Sequence, residues 1–299
     1  MVTIDNQSLK FTNLTKLYWS KEKIRKGDLL NYYHSMAEYI LPYMKDRPQS
    51  LNRHPNGIAG PSFYHKDMRG KAEPWIKTHK RYSDSNGESK EFLVCTNEAS
   101  LLYMANLGCI EMNPWHSRYQ KPDNPDWSVI DLDPGTNSFE EVIETAQVVK
   151  RVLDHYHITS FVKTSGSTGI HIYVPFGAKY TYDQSKQFAE LIANIVHDEL
   201  PLITSLERNP LKRKDKIYID YLQNRPIQTI CAPYSARPKP GATVSAPLHW
   251  DEVKNGIQIS NFTINNIYDR VKSEGDLFSG VMGKGIDLQK VIKQFSLSM

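Results

Sequence analysis

The sequence predicts a mixed α/β protein in which β-sheets are flanked by helices, and three observations carry that expectation. Apolar residues at helical spacing follow start signals at Asp28, Ser138 and Thr181. Short β-rich runs lie at 127–132, 159–163, 170–174 and 217–222. At 299 residues, the chain is long enough to bury a sizeable core unaided. Helices alternating with strands argue at least one sheet covered by helices.

Each element has its own local cause. Asp28 is placed to cap a helix carrying Leu29, Leu30, Tyr33, Met36, Ala37 and Ile40 on one face, until Pro42 disturbs it. The turn chemistry of 53–57 and 59–61 predicts a smaller, irregular lobe before the strand at Trp127. Ser138 and Glu141 form a capping box ahead of Val142, Ile143, Ala146, Val149 and Leu153. Thr181 opens a helix with Phe188, Leu191, Ile192 and Ile195 that ends near Pro201. Residues 233–247, rich in Pro, Ser and Gly, read as an extended loop, with helical segments expected after Ile264 and near Leu288.

Composition excludes several classes. No run approaches the ~18 apolar residues of a membrane span, and the first ten residues lack a signal-peptide core. Cys95, Cys109 and Cys231 are odd in number and form no CxxC pair, which argues against a disulfide framework or a cysteine zinc site and fits a reducing cytoplasm. Thirty-seven Lys and Arg against 33 Asp and Glu leave only +4, too little to argue nucleic acid in itself. The distribution says more. Basic residues cluster at Lys10, Lys16, Lys21, Lys23, Arg25 and Lys26, and again at Arg208, Lys212, Arg213, Lys214 and Lys216, where either set could face phosphates or simply solvent.

The sharpest chemical feature is Val129-Ile130-Asp131-Leu132-Asp133-Pro134-Gly135. In a strand Asp131 and Asp133 project from one face roughly 6.6 Å apart, while Ile130 and Leu132 face the other way. Paired carboxylates repel unless a cation sits between them, and hard oxygen donors suit Mg²⁺ or Mn²⁺. A solvated strand end is the plain alternative. Asp220, inside Ile217-Tyr218-Ile219-Asp220-Tyr221-Leu222, supplies a third carboxylate; a neighbouring strand would let the three hold two cations ~3.5–4 Å apart. Residues 163–175 read as two β runs around a Ser/Gly turn whose amides could form an anion nest, with His171 opposite Ile170 and Ile172; a structural histidine is equally in keeping. Phe63 and Tyr64 could stack on bases, although at least one is expected in the core, and Arg237 could reach a phosphate.

Taken in order, Phe11–Lys16, Asp131–Gly135, Thr164–Ser167 with Gly169 and His171, Asp220, Ala232–Arg237 and Pro247–Trp250 resemble the polymerase domain of bacterial ligase D, in the archaeo-eukaryotic primase superfamily. The resemblance implies a primase-polymerase fold, two β-sheets flanked by helices around a central catalytic cleft. It implies one domain over 1–299, with a DNA-end and template-binding lobe at 1–120 and a catalytic lobe at 121–299. The implied activity is template-directed nucleotidyl transfer from NTP or dNTP, ribonucleotides favoured, with two Mn²⁺ or Mg²⁺ ions, in double-strand break repair by non-homologous end joining. Asp131, Asp133 and Asp220 match the metal-binding catalytic carboxylates, Asp220 also helping to activate the primer 3′-hydroxyl. Ser165, His171 and Arg237 match residues around the incoming triphosphate, with Arg53 and Lys66 nearby. Asn13, Lys16 and Lys26 match a pocket for a downstream 5′-phosphate, and Phe63 and Tyr64 match a template-stacking pair. Implied partners are double-stranded ends and gapped DNA, with Ku and ligase or nuclease domains as family expectations; a cytoplasmic, nucleoid-associated monomer without membrane contact is expected.

Two positions depart from the family pattern. Thr168 stands where many relatives carry lysine, and Asn113 where relatives often have histidine. They give some support to another reading, an end-binding module that recruits repair partners without catalysis. A third reading is a glycosyltransferase, because a DxD pair also binds Mn²⁺ and the diphosphate of a nucleotide sugar.

Overall fold

Alternation along the strand Trp127–Asp133 sets the central feature of the molecule. Ser128, Ile130 and Leu132 share one face, and Trp127, Val129, Asp131 and Asp133 share the other. In the computed structural model, which describes residues 1–83 and 87–298, this strand lies inside a six-stranded sheet. From edge to edge the sheet runs Thr204–Ser205, Ile217–Asp220, Trp127–Asp133, Ile170–Pro175, Phe161–Thr164 and Pro247–Leu248. All its pairings are antiparallel except the one between the first two strands.

The helices Phe139–His155 and Tyr182–Glu199 pack on each other and on the central strand. Ser128 Oγ donates to the Ser185 carbonyl at 3.3 Å, which puts the second helix on the Ile130–Leu132 face. Both start as their capping residues predict. Ser138 Oγ accepts from Glu141 N–H at 3.2 Å, and Thr181 Oγ1 accepts from Gln184 N–H at 3.3 Å. On the opposite face Phe278 packs its ring against Phe161 and Tyr173.

Two departures from the local signals have simple causes. The strand at Ile217 stops at Asp220 rather than Leu222, because the Asp220 carboxylate accepts from the Leu222 N–H at 2.8 Å and turns the chain. The first helix begins at Lys26; Asp28 sits in its first turn and reaches back to the Arg25 N–H at 2.7 Å. It breaks at Met36, and Pro42 lies within a second short helix, Ala37–Met44.

The chain divides into two units. The six-stranded sheet belongs to one, made of Lys121–Gln228, Pro247–Ile259 and Asp276–Met299. The other gathers Met1–Gln120, Thr229–Ala246 and Ser260–Gly275, and its strands fall into one three-stranded and three two-stranded sheets. Tyr32 and Tyr33, buried on the first helix, bind this unit together. Tyr32 donates its hydroxyl to the Tyr234 carbonyl at 2.6 Å, while the Tyr33 hydroxyl donates to the Ile110 carbonyl and accepts from the Ala236 N–H. The 233–247 loop is extended as expected, and much of it is buried through backbone pairing such as Tyr234 N–H to the Ser245 carbonyl. Among the described residues, no helix is long and apolar enough to cross a membrane.

Candidate active site

Register places four polar side chains of three chemical kinds in one row across the sheet. Asp131 lies directly opposite Asp220 on one side and His171 on the other, and His171 lies opposite Lys163. Directly paired residues share a face, so the order Asp220, Asp131, His171, Lys163 is dictated by the backbone. Asp133 lies two residues along on the same face, opposite Tyr218.

Like charges directly across a ladder are destabilising unless something neutralises them. Burial pushes the Asp220 carboxyl above its usual range, and the Leu222 N–H only partly offsets this. Gln223 Nε2 donates to Asp220 Oδ2 at 3.2 Å and stands 3.5 Å from Asp131 Oδ2. His171 Nε2 stands 3.4 Å from Asp131 Oδ1. Asp133 is half exposed and lies 3.8 Å from Arg213, whose guanidinium sits 3.9 Å from the Tyr218 ring centre. Among the described residues, no three His, Cys, Asp or Glu side chains are gathered tightly enough to grip an ion as a set. The opposed Asp131–Asp220 pair nevertheless fits a divalent cation: hard oxygen donors, one destabilised as an anion, with a third carboxylate on the same face.

Two features hold this row in place. Asn224, fully buried, acts as a surrogate peptide group: its Oδ1 accepts from the Val129 N–H at 2.8 Å and its Nδ2 donates to the Val129 carbonyl at 2.7 Å. Ladder pairing of the aspartate strand thus continues past the end of the Asp220 strand. Gly169 is the second. A Cβ built there would lie 2.0 Å from the Leu132 carbonyl oxygen, between Asp131 and Asp133 in the chain, so only glycine permits this approach.

Ser165 is buried at the turn between the His171 and Lys163 strands. Its Oγ accepts from the N–H groups of Ser167, Thr168 and Gly169 at 3.0, 3.1 and 2.9 Å. The turn amides are therefore directed to a hydroxyl of the chain itself, and not into the anion nest that the Ser/Gly pattern suggested. Thr168 is exposed at the tip.

The remaining residues singled out in the sequence lie in the other unit. The Lys26 ammonium is buried and donates to the Thr12 carbonyl and to Asn106 Oδ1, both at 2.8 Å. Burial, with the charges of Lys16 and Arg53, pulls it down to about 8. Lys16 donates to the Pro55 carbonyl at 2.8 Å and to Asn56 Oδ1 at 2.6 Å. Asn13, left-handed at φ 56°, begins the turn that sets Lys16 against the helix start, where Lys26 N–H donates to the Lys16 carbonyl. Arg53 donates to the Leu107 carbonyl and lies 5.3 Å from the Phe63 ring centre.

Phe63 is 48% and Tyr64 62% exposed, so neither is a core residue. They sit on a short strand, Phe63–His65, and Lys66 lies 5.5 Å from the Tyr64 ring centre. Arg237 Nε stands 3.1 Å from Glu111 Oε2, and Glu111 in turn accepts from Asn52 and Asn113. Asn113 thus has a partner within its own segment. Sequence reasoning assigned no role to Lys163, Gln223, Asn224 or Glu111; only the register and the fold bring them to functional groups.

A family model described as the LigD primase-polymerase domain matches residues 25–278. The chain is 35% identical over 271 residues to the bifunctional non-homologous end joining protein LigD of Bacillus subtilis, covering 89% of this chain and 43% of that protein. It is 27% identical over 280 residues to the multifunctional non-homologous end joining protein LigD of Mycolicibacterium smegmatis, covering 91% and 36%. It therefore spans less than half the length of these relatives. The polymerase domain from Mycobacterium tuberculosis ligase D, solved in complex with DNA, superposes with a TM-score of 0.85 at 24% identity over 94% of this chain and 100% of that one. The mixed α/β expectation is met, and the fold is that of this domain.

Proposed function

Because the chain belongs to the LigD primase-polymerase family, we propose that it is a template-directed nucleotidyltransferase that fills gaps and extends ends in double-strand break repair by non-homologous end joining. The opposed Asp131–Asp220 pair, with Asp133 on the same face, carries this reading. These three carboxylates would hold two divalent ions, Mn²⁺ or Mg²⁺, which when bound acidify the primer 3′-hydroxyl and neutralise charge on the triphosphate. Asp220, directly opposite Asp131, would also help to activate the primer 3′-hydroxyl, whose proton is lost as that oxygen attacks the α-phosphorus and pyrophosphate leaves.

The other residues divide the substrate among them. Ser165 and Arg237, with Arg53 and Lys66, take the incoming NTP or dNTP, ribonucleotides favoured; His171, matched to the same set, has its ring nitrogens facing Lys163 and Asp131. Lys16, Lys26 and Asn13 take a downstream 5′-phosphate, a reading supported by the depressed Lys26 ammonium: a positive cluster of this kind is relieved by an anion. Phe63 and Tyr64, exposed beside cationic side chains, stack on the template. The substrates would be broken or gapped duplexes, in keeping with the non-homologous end joining named for the relatives, and the partners would be Ku and ligase or nuclease domains.

Primer extension on a short-gap duplex tests this, with and without a downstream 5′-phosphate, in Mn²⁺ or Mg²⁺ and with either nucleotide type. Templated extension that is abolished in Asp131→Ala and improved by the 5′-phosphate is expected. Tight end binding with no extension in either metal would instead favour the recruitment module.

A further inference from the structure

We infer that Lys163 is a positioning residue: it fixes the tautomer of His171 and, through that ring, the orientation of Asp131. The inference rests on reading Asp131 as a cation ligand. Lys163 is 0% exposed, and a lysine is almost never so deeply buried unless its charge is engaged. Its Nζ lies 2.7 Å from His171 Nδ1. With Lys163 as an ammonium, which has three donors and no acceptor, Nδ1 accepts and the single proton of a neutral ring sits on Nε2. That nitrogen faces Asp131 Oδ1 at 3.4 Å.

The arrangement holds the Asp131 carboxylate from two sides, by His171 at Oδ1 and by Gln223 at Oδ2. Asp133, by contrast, has among the described residues only Arg213 within salt-bridge reach at its exposed end. Register makes the relay a property of the sheet. Lys163, His171 and Asp131 are direct neighbours on successive strands, and a slip of one residue would turn each to the other face. A histidine oriented by a second group, and itself orienting a ligand, is the outer-shell device that commonly tunes metal affinity.

The test begins with the unaltered, metal-free protein, so it does not depend on any variant folding. ¹⁵N NMR of histidine-labelled protein, with His171 assigned by the signals lost in His171→Asn, should show the Nε2–H tautomer. Lys163→Met should disturb that pattern and weaken binding of Mn²⁺ alone, followed by electron paramagnetic resonance, by about 10- to 100-fold. A wild-type ring protonated on Nδ1 would overturn the inference, as would a folded Lys163→Met protein with unchanged tautomer and Mn²⁺ affinity. Wild-type protein showing the expected tautomer but taking up no Mn²⁺ would support the Lys163–His171 pairing and defeat the cation reading of Asp131.

Discussion

Gly169→Ala adds one methyl group at the tightest glycine approach in the six-stranded sheet. The added Cβ would stand 2.0 Å from the Leu132 carbonyl oxygen, and real Cβ contacts essentially never fall below 3.0 Å, so about 1 Å of movement is required. The turn has little freedom to supply it. Gly169 N–H is held by Ser165 Oγ at 2.9 Å, and its carbonyl accepts from Ser165 N–H at 2.9 Å. Displacement therefore passes to Leu132, and with it to Asp131 and Asp133. Overpacking of this kind costs about 1–3 kcal/mol of stability. A misplacement of about 1 Å in a catalytic group costs on the order of 100-fold in rate. The assay is single-turnover primer extension beside thermal melting, with Gly256→Ala as control. Gly256 has φ 99° and open space around it, so alanine there adds backbone strain of roughly 1–2 kcal/mol without a collision. Gly169→Ala should lose about 100-fold in extension at a temperature where it remains folded, and Gly256→Ala should lose stability alone. Full extension by a folded Gly169→Ala protein would refute the role given to this contact.

Two further outcomes follow from the same geometry. Asn224→Leu should lower stability by about 1–3 kcal/mol, because Val129 loses both backbone partners in a buried setting; denaturant unfolding measures this, and an unchanged midpoint would contradict it. Lys26 gives a pH dependence. Its folded value of about 8 lies below the unfolded 10.5, so between these the unfolded chain holds more protons and the lysine's contribution to stability grows as pH rises, being least below 8. A 5′-phosphate favours the charged form, so the preference for phosphorylated over unphosphorylated gapped DNA should shrink between about pH 7 and about pH 9. Fluorescence anisotropy at fixed ionic strength reads it, and a constant preference would remove Lys26 from the pocket.

What was legible in the sequence was governed by short-range periodicity. A repeat of two put Asp131 and Asp133 on one face, and capping boxes located the starts at Ser138 and Thr181. What was not legible depends on strand order. That Asp220 lies opposite Asp131, and Lys163 opposite His171, follows from a non-sequential arrangement that no local window encodes. Lys163 in particular looks like an ordinary strand lysine until the fold buries it against His171 Nδ1. Hydrophobicity alone puts at least one of Phe63 and Tyr64 in the core, but both are exposed on a sheet of two short strands. The nest expected at the Ser/Gly turn failed for a competitive reason: Ser165 Oγ reaches the same amides first.

The interleaved path of the chain bears on its synthesis. Five of the six strands of the catalytic sheet lie between residues 127 and 220, so most of that sheet can zip up while later residues are still in the ribosome. The first unit has no such independence. When Met1–Gln120 emerges, the Tyr234 carbonyl that takes the Tyr32 hydroxyl does not yet exist, nor does the Ala236 N–H that donates to Tyr33. A nascent chain therefore carries its amino-terminal helix with hydroxyls awaiting partners and apolar surface uncovered until 229–246 and 260–275 have been made. Chaperone dependence and sensitivity to stalled translation should concentrate in Met1–Gln120, which is synthesised before the segments that seal it.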